Sequence, residues 1–268
     1  MPMHHHVSLS HLKAHRAAGT RFSMVTAYDA CFAQLSSDAG IDSLLVGDSL
    51  GMVLQGHDST LPVTLEQMVY HTACVTRTKP RAFVIADMPF MAAATLEDTM
   101  RSARLLMQAG AQMIKLEGGA QLLGQVQRLA DQGVPVCCHL GLTPQFVNRF
   151  GGYKVQGRTQ AIADQLVADA QTLDAAGADM LLLECVPNHV TARIMAVTQA
   201  PVVGIGAGPE TTAQVLVLHD LLGITPGKPA RFVQNFLSGS ASIQAALSAF
   251  DQAVKSGAYP APEHCFVD

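Results

Sequence analysis

The stretch Leu44-Leu45-Val46-Gly47-Asp48-Ser49 constrains this chain more than any other, because an apolar run stops abruptly at an acid and a hydroxyl. The arrangement recurs: Phe83-Val84-Ile85-Ala86 stops at Asp87, Met113-Ile114-Lys115-Leu116 at Glu117, and Met180-Leu181-Leu182-Leu183 at Glu184. A parallel strand covered on both faces is continuously apolar rather than alternating, so each run reads as a buried strand delivering a carboxylate at its C-terminal end. Barrels and open sheets of parallel strands build their active sites on that rim, which places the four acids together.

A second pattern separates the runs. Ala39-Gly40-Ile41-Asp42, Ala109-Gly110-Ala111-Gln112 and Ala176-Gly177-Ala178-Asp179 each put Gly where a helix stops and a strand begins, with Gln132-Gly133-Val134-Pro135 as a looser copy. A helix C-terminus needs a left-handed residue, which Gly adopts without a Cβ penalty. Further strands are expected at 23–27, 134–138 with His139 at its end, 201–205, and 215–219 with Asp220 at its end. Asp29 is placed to cap the helix after the first strand. The turn Gly206-Ala207-Gly208 lacks dinucleotide-fingerprint spacing and reads as close backbone approach to a ligand. About eight βα units without hairpin signals in a chain of 268 residues predict an α/β fold, a single (β/α)8 TIM barrel. A short helix over 10–17 covers the barrel's bottom or a subunit contact. The expected organisation is an N-terminal helical segment, 1–22, and a catalytic barrel, 23–268, that ends in helices and a polar tail.

Composition narrows the function. With 49% hydrophobic and 14% charged residues the chain carries a large core, and a net charge of -4 leaves no electrostatic footprint for nucleic acid or a membrane surface. Small-molecule substrates are the expected partners. No apolar run approaches the roughly 18 residues of a membrane span, and no apolar leader opens the chain, so a cytoplasmic location is expected. Cys31, Cys74, Cys137, Cys138, Cys185 and Cys265 show no metal-like spacing, and disulfides are not expected. His4-His5-His6 reads as a mobile terminus rather than a metal site.

Candidate chemistry lies at strand ends and in two long loops. In 51–62, His57 and Asp58 either act in catalysis or order the loop. His71 reads as a packing residue of the next helix, and Met100, Ala103, Leu106 and Met107 as the buried stripe of the one after. Lys115 and Glu117 share one face at spacing two, an inward ion pair whose desolvation cost argues for a task. His139 fits a proton carrier, a ligand or a substrate donor. Segment 143–158, with Gly151-Gly152-Tyr153-Lys154, suggests a lid hinged at the paired glycines.

Six longer motifs together resemble the ketopantoate hydroxymethyltransferase family: 46–51 (VGDSLG), 55–64 (QGHDSTLPVT), 86–90 (ADMPF), 115–119 (KLEGG), 139–145 (HLGLTPQ) and 151–158 (GGYKVQGR). The resemblance runs from about Ser23 to the C-terminus and implies the barrel of the phosphoenolpyruvate mutase/isocitrate lyase superfamily. It implies transfer of a one-carbon unit from 5,10-methylenetetrahydrofolate to 3-methyl-2-oxobutanoate, giving 2-dehydropantoate, the first committed step of pantothenate biosynthesis, through a Mg-stabilised enolate. Carried over by position, Asp48 and Asp87 hold Mg²⁺ and Glu117 completes or steers its water shell. Ser49, Lys115 and His139 contact substrate alongside the two aspartates, and Glu184 is the catalytic base. A large homo-oligomer, commonly a decamer, is implied as well. Cys138 stands where the family has Gly, and Thr212-Ala213 where Asp-Gly is usual, which bears on the folate-facing side.

The residue types suit this chemistry on their own terms. A hard cation held by one or two carboxylates keeps positions open for a chelating 2-oxo acid, whose adjacent carbon then becomes acidic. Two rivals are a Schiff-base aldolase using Lys115 and a non-catalytic metal-binding barrel.

Overall fold

The computed structural model describes residues 6–267, so His4 and His5 of the histidine triplet lie outside the described residues. Eight strands close into a barrel in sequence order, each parallel to its neighbours, with the last returning to the first. They are β1 (Phe22–Thr26), β2 (Ser43–Val46), β3 (Phe83–Asp87), β4 (Met113–Glu117), β5 (Val136–Gly141), β6 (Met180–Glu184), β7 (Val202–Ile205) and β8 (Ala213–Leu216). Outside the barrel or at its ends lie α1 (Leu9–Ala18), α2 (Ala30–Asp38), α3 (Leu50–Val53), α4 (Leu65–Thr76), α5 (Leu96–Gln108), α6 (Leu123–Asp131), α7 (Val147–Phe150), α8 (Gln160–Ala175), α9 (Asn188–Val197), α10 (Leu218–Leu221) and α11 (Ile243–Ser256).

Local chemistry sets the element ends. Asp29 accepts a hydrogen bond from Phe32 N–H and starts α2, while Thr64, Thr95, Thr159 and Ser242 cap α4, α5, α8 and α11 in the same way. At the helix-to-strand junctions Gly40, Gly110 and Gly177 sit at φ 102°, 104° and 102°, whereas Gly133, in the looser copy, sits at 74°. The first three repeat one turn, and a side chain there would be strained.

Helix α1 closes the N-terminal end of the barrel. Leu12 is wholly buried, Val7 N–H donates to Arg81 O ahead of β3, Lys13 pairs with Asp179 ahead of β6, and Arg16 donates to the Met195 and Thr198 carbonyls ahead of β7. The opposite rim is thereby left for chemistry. No helix among the described residues is long and apolar enough to cross a membrane, and all six cysteines are free thiols.

Several expectations shift. The eighth strand is Ala213–Leu216 rather than 215–219, because Thr26 Oγ1 captures Leu218 N–H and turns the chain into α10, which takes His219 and Asp220 with it. The seventh unit has no helix: residues 206–212 cross directly to β8 in a tight turn held by Gln214, which donates to Gly208 O and Thr211 Oγ1. His139 lies inside β5, not beyond it, since the strand continues to Gly141. On α5 the buried side chains are Thr99, Ser102, Ala103 and Leu106, with Met100 and Met107 half-buried at the flank. Ser102 is buried without penalty because its hydroxyl donates to Ala92 O.

Candidate active site

Parallel register assembles the site from separate strands. It sets Asp87 beside Lys115, Glu117 beside His139, and Gly141 beside Glu184. Lys115 Nζ donates to both oxygens of Asp87 at 2.6 Å and lies 3.3 Å from Glu117 Oε1. His139 Nδ1 donates to Glu117 Oε1 at 3.1 Å, and its Nε2 faces Glu184 Oε2 at 3.3 Å. Asp48 follows β2, and its N–H points to Asp87 Oδ2 at 3.4 Å. Carboxylate oxygens of Asp48, Asp87 and Glu117 lie within 4.8 Å of one another, and all three residues are buried.

All four strand-end acids line one cavity of about 160 Å³ at the C-terminal mouth, together with Ser49, Lys115 and His139. Leu45, Leu182, Ile205, Val215, Val217 and Phe232 supply the apolar part of the lining. Ser49 Oγ is hydrogen-bonded to the Tyr28 hydroxyl at 2.9 Å, which fixes its rotamer.

Negative charge is in excess here. Burial, then Asp87 and Glu117, push the Asp48 carboxyl well above the usual range, and burial raises Asp87 despite Lys115. Burial would also raise Glu117, but the Lys115 and His139 charges overcome it and bring it down to about 2. Burial and Lys115 oppose the charge on His139, yet Glu117 and Glu184 lift it to about 9, so the ring is an imidazolium at neutral pH. Burial alone would lower Lys115; Asp87 and Glu117 reverse that and hold it as ammonium.

Gln145 is the member that sequence reasoning missed. Its Nε2 donates to Asp48 Oδ2 at 2.8 Å and to Met88 O, while its backbone N–H donates to Glu117 Oε2 at 3.0 Å. It lies in the HLGLTPQ motif, but only the fold-back of the loop after β5 reveals that it ties two acids together. Asp220 and Phe232 also reach the cavity without having been singled out for it, and Tyr28 touches the site through Ser49.

Other candidates lie elsewhere. His57 and Asp58 are exposed and off the cavity, in a loop that begins with α3 and is held by His57 N–H to Gly51 O; Met52 and Thr60 are its cavity residues. His71 packs, with its ring nitrogen on Tyr28 O at 2.8 Å. The Gly206-Ala207-Gly208 turn does not line this cavity; a Cβ on Gly206 would strike Phe232 and Phe266, and one on Gly208 would strike Asn188, so close packing within the protein already requires both glycines. Tyr153, beyond the paired glycines, lines the cavity mouth and donates to Met52 Sδ at 3.5 Å. Cys138 is buried on the face of β5 opposite His139, and Thr212-Ala213 opens β8 at the far end of the barrel, so neither family departure touches the cavity.

Fold and site together define an enzyme of the (β/α)8 class, with a buried carboxylate cluster at the mouth and a lysine and histidine paired into it. Its closed eight-stranded barrel is similar to the crystal structure of phosphoenolpyruvate phosphomutase from Streptomyces platensis subsp. rosaceus, with a TM-score of 0.62 at 16% identity over 95% of this chain and 92% of that one. The chain belongs to the ketopantoate hydroxymethyltransferase family, whose profile matches residues 6–262. It is 56% identical to the 3-methyl-2-oxobutanoate hydroxymethyltransferase of Marinobacter nauticus, over 97% of this chain and 98% of that protein. It is 58% identical, over the same shares, to the 3-methyl-2-oxobutanoate hydroxymethyltransferase 2 of Hahella chejuensis.

Proposed function

We propose that this transferase moves a hydroxymethyl group from 5,10-methylenetetrahydrofolate to 3-methyl-2-oxobutanoate, giving 2-dehydropantoate for pantothenate biosynthesis. The observation that carries the reading is the placement of Glu184 apart from the Asp48–Asp87–Glu117 cluster but on the same cavity. One group of acids is thus free to hold a cation while another moves a proton.

The cluster fits Mg²⁺. Its donors are hard oxygens, they converge, and the raised Asp48 and Asp87 carboxyls mark an excess of negative charge that a divalent cation relieves. Asp48 and Asp87 would hold the ion, with Glu117 steering its water shell. An ion held there would supply Lewis acidity toward the keto oxygen of a 2-oxo acid and positive charge against the anion left when the C3 proton is removed.

The remaining steps belong to side chains of this chain. Glu184, 16% exposed at its side chain, faces the cavity and takes the C3 proton. His139, charged and held between Glu117 and Glu184, orients the base rather than serving as one. Lys115 supplies positive charge beside the reacting carbonyl, and Ser49, fixed by Tyr28, binds substrate oxygen. Leu182 and Ile205, the apolar lining beside Glu184, accept the branched carbon chain, and Tyr153 closes the mouth over bound substrate. A Schiff-base route requires a neutral amine, and Asp87 and Glu117 hold Lys115 as ammonium.

The test is deuterium exchange at C3 of the oxo acid with Mg²⁺ and no folate, which isolates proton removal from one-carbon transfer. Glu184→Gln is expected to bind metal and oxo acid normally and to lose exchange by at least about 100-fold. Exchange at the parent rate in that variant removes Glu184 from the proton-transfer step. We further propose a cytoplasmic homodecamer in which a segment carrying α1 precedes the catalytic domain, which opens with β1 at Phe22, one residue ahead of the expected boundary. Native mass spectrometry reads the subunit count.

A further inference from the structure

The cavity contains a fifth carboxylate that this scheme leaves unused. Asp220 lines it from α10, just beyond β8, and in a closed barrel of eight sequential strands β8 stands across from β4, the strand of Lys115 and Glu117. Val215, Val217 and Phe232 line the cavity on the same side, with Thr26 of the neighbouring β1 as the polar exception, its Oγ1 taken by Leu218 N–H. Thr225 Oγ1 donates to Asp220 Oδ1 at 2.5 Å, and Oδ2 accepts no hydrogen bond among the described residues. Burial holds the carboxyl above its ordinary range, against the pull of Thr225 and His219. A carboxyl on a mostly apolar wall, pinned by one oxygen, with the other left free, is placed to give a proton to whatever enters from that side.

Resting on the transfer proposed above, we propose that Asp220 is the acid that protonates the departing nitrogen of the one-carbon donor. In that donor the transferred carbon bridges two nitrogens and is not electrophilic. One C–N bond must break with its electron pair going to nitrogen, that nitrogen must gain a proton, and the other nitrogen must lend its lone pair to the carbon as an iminium. In its protonated form Asp220 gives the proton and becomes a carboxylate facing the new cation, so the acid and the uncharged bridge become a balanced ion pair. The oxo acid then ionises against one wall of the cavity while the donor is activated from the other. Glu184 and the acid cluster take no part in this step.

A purely structural Asp220 would only hold the 218–225 turn through Thr225, and chemistry separates the two roles. Formaldehyde offers the same carbon with no C–N bond to break. Asp220→Asn keeps an oxygen for Thr225 but has no acidic proton. Its rate with 5,10-methylenetetrahydrofolate is expected to fall by about 10²–10⁴-fold, the usual contribution of a general acid. Its addition of formaldehyde to the oxo acid should fall by less than about tenfold on the same scale. Asp220→Glu restores an acid and should recover at least about a tenth of the parent folate-dependent rate. Equal loss on both routes in Asp220→Asn, near-parental folate transfer in that variant, or a Glu variant as slow as the Asn variant overturns the proposal. Absence of folate-dependent transfer or of C3 exchange in the parent would overturn the proposed function first, and the role of Asp220 with it.

Discussion

Replacing Lys115 by Met removes the ammonium shared by Asp87 and Glu117. Lys115 and Asp87 are 3% and 2% exposed, so water cannot take the place of the lost charge, and the carboxylates left behind relieve their repulsion by binding a proton. At pH 7, protonating a carboxyl of ordinary pKa near 3.9 costs about 1.4 kcal/mol for each of roughly three pH units, or about 4 kcal/mol. That figure lies inside the range of about 3–5 kcal/mol for removing one partner of a buried pair. The sign of the pH dependence follows. The protonated carboxyl has a folded pKa above its unfolded value, so the folded variant binds more protons and its deficit shrinks as pH falls, to about 2 kcal/mol at pH 5.5. In the parent, Glu117 is lowered to about 2, so its contribution is present above the ordinary carboxylate range and is lost only in stronger acid. Urea unfolding of metal-free parent and Lys115→Met at pH 7 and pH 5.5 measures the difference. A deficit below about 1 kcal/mol at pH 7, or one equal at both pH values, would refute the reasoning.

Four further outcomes are expected. Asp48→Ala and Asp87→Ala should each abolish Mg²⁺-dependent binding of the oxo acid in calorimetry without loss of the fold, while Glu117→Gln should be milder because an amide still orients a bound water. Borohydride treatment of the parent with the oxo acid should leave no adduct on Lys115 by mass spectrometry, since Asp87 keeps its amine protonated. Gln145→Ala should weaken Mg²⁺ binding by about 10-fold through loss of its side-chain hold on Asp48, while its backbone N–H stays on Glu117, read as a shift in the metal titration midpoint. Gly141→Ala places a Cβ against the Glu184 carbonyl and Val186 at φ 89°, and should lower stability by about 1–3 kcal/mol in thermal unfolding while slowing C3 exchange.

The sequence alone determined the architecture and the acids. Continuous apolar runs cannot be half-solvated strands, so the runs ending at Asp48, Asp87, Glu117 and Glu184 had to be buried and parallel, with their carboxylates at one end. Period-two spacing likewise put Lys115 and Glu117 on one face. What it left open depended on which strand lies beside which. The pairing of Lys115 with Asp87 rather than with Glu117 alone comes from the β3–β4 register, and the charge on His139 comes from Glu117 and Glu184 on the two flanking strands. Gln145 gained its role because a loop folds back across the barrel mouth, and polar loop residues carry no periodic signal that marks such a return. The misplaced eighth strand has the same origin: Val215–Leu218 is apolar throughout, and only a hydrogen bond from Leu218 N–H to Thr26, far away in the chain, decides where the strand ends and the helix bearing Asp220 begins. Local patterning fixes what must be buried, whereas contacts between distant segments fix which charges meet.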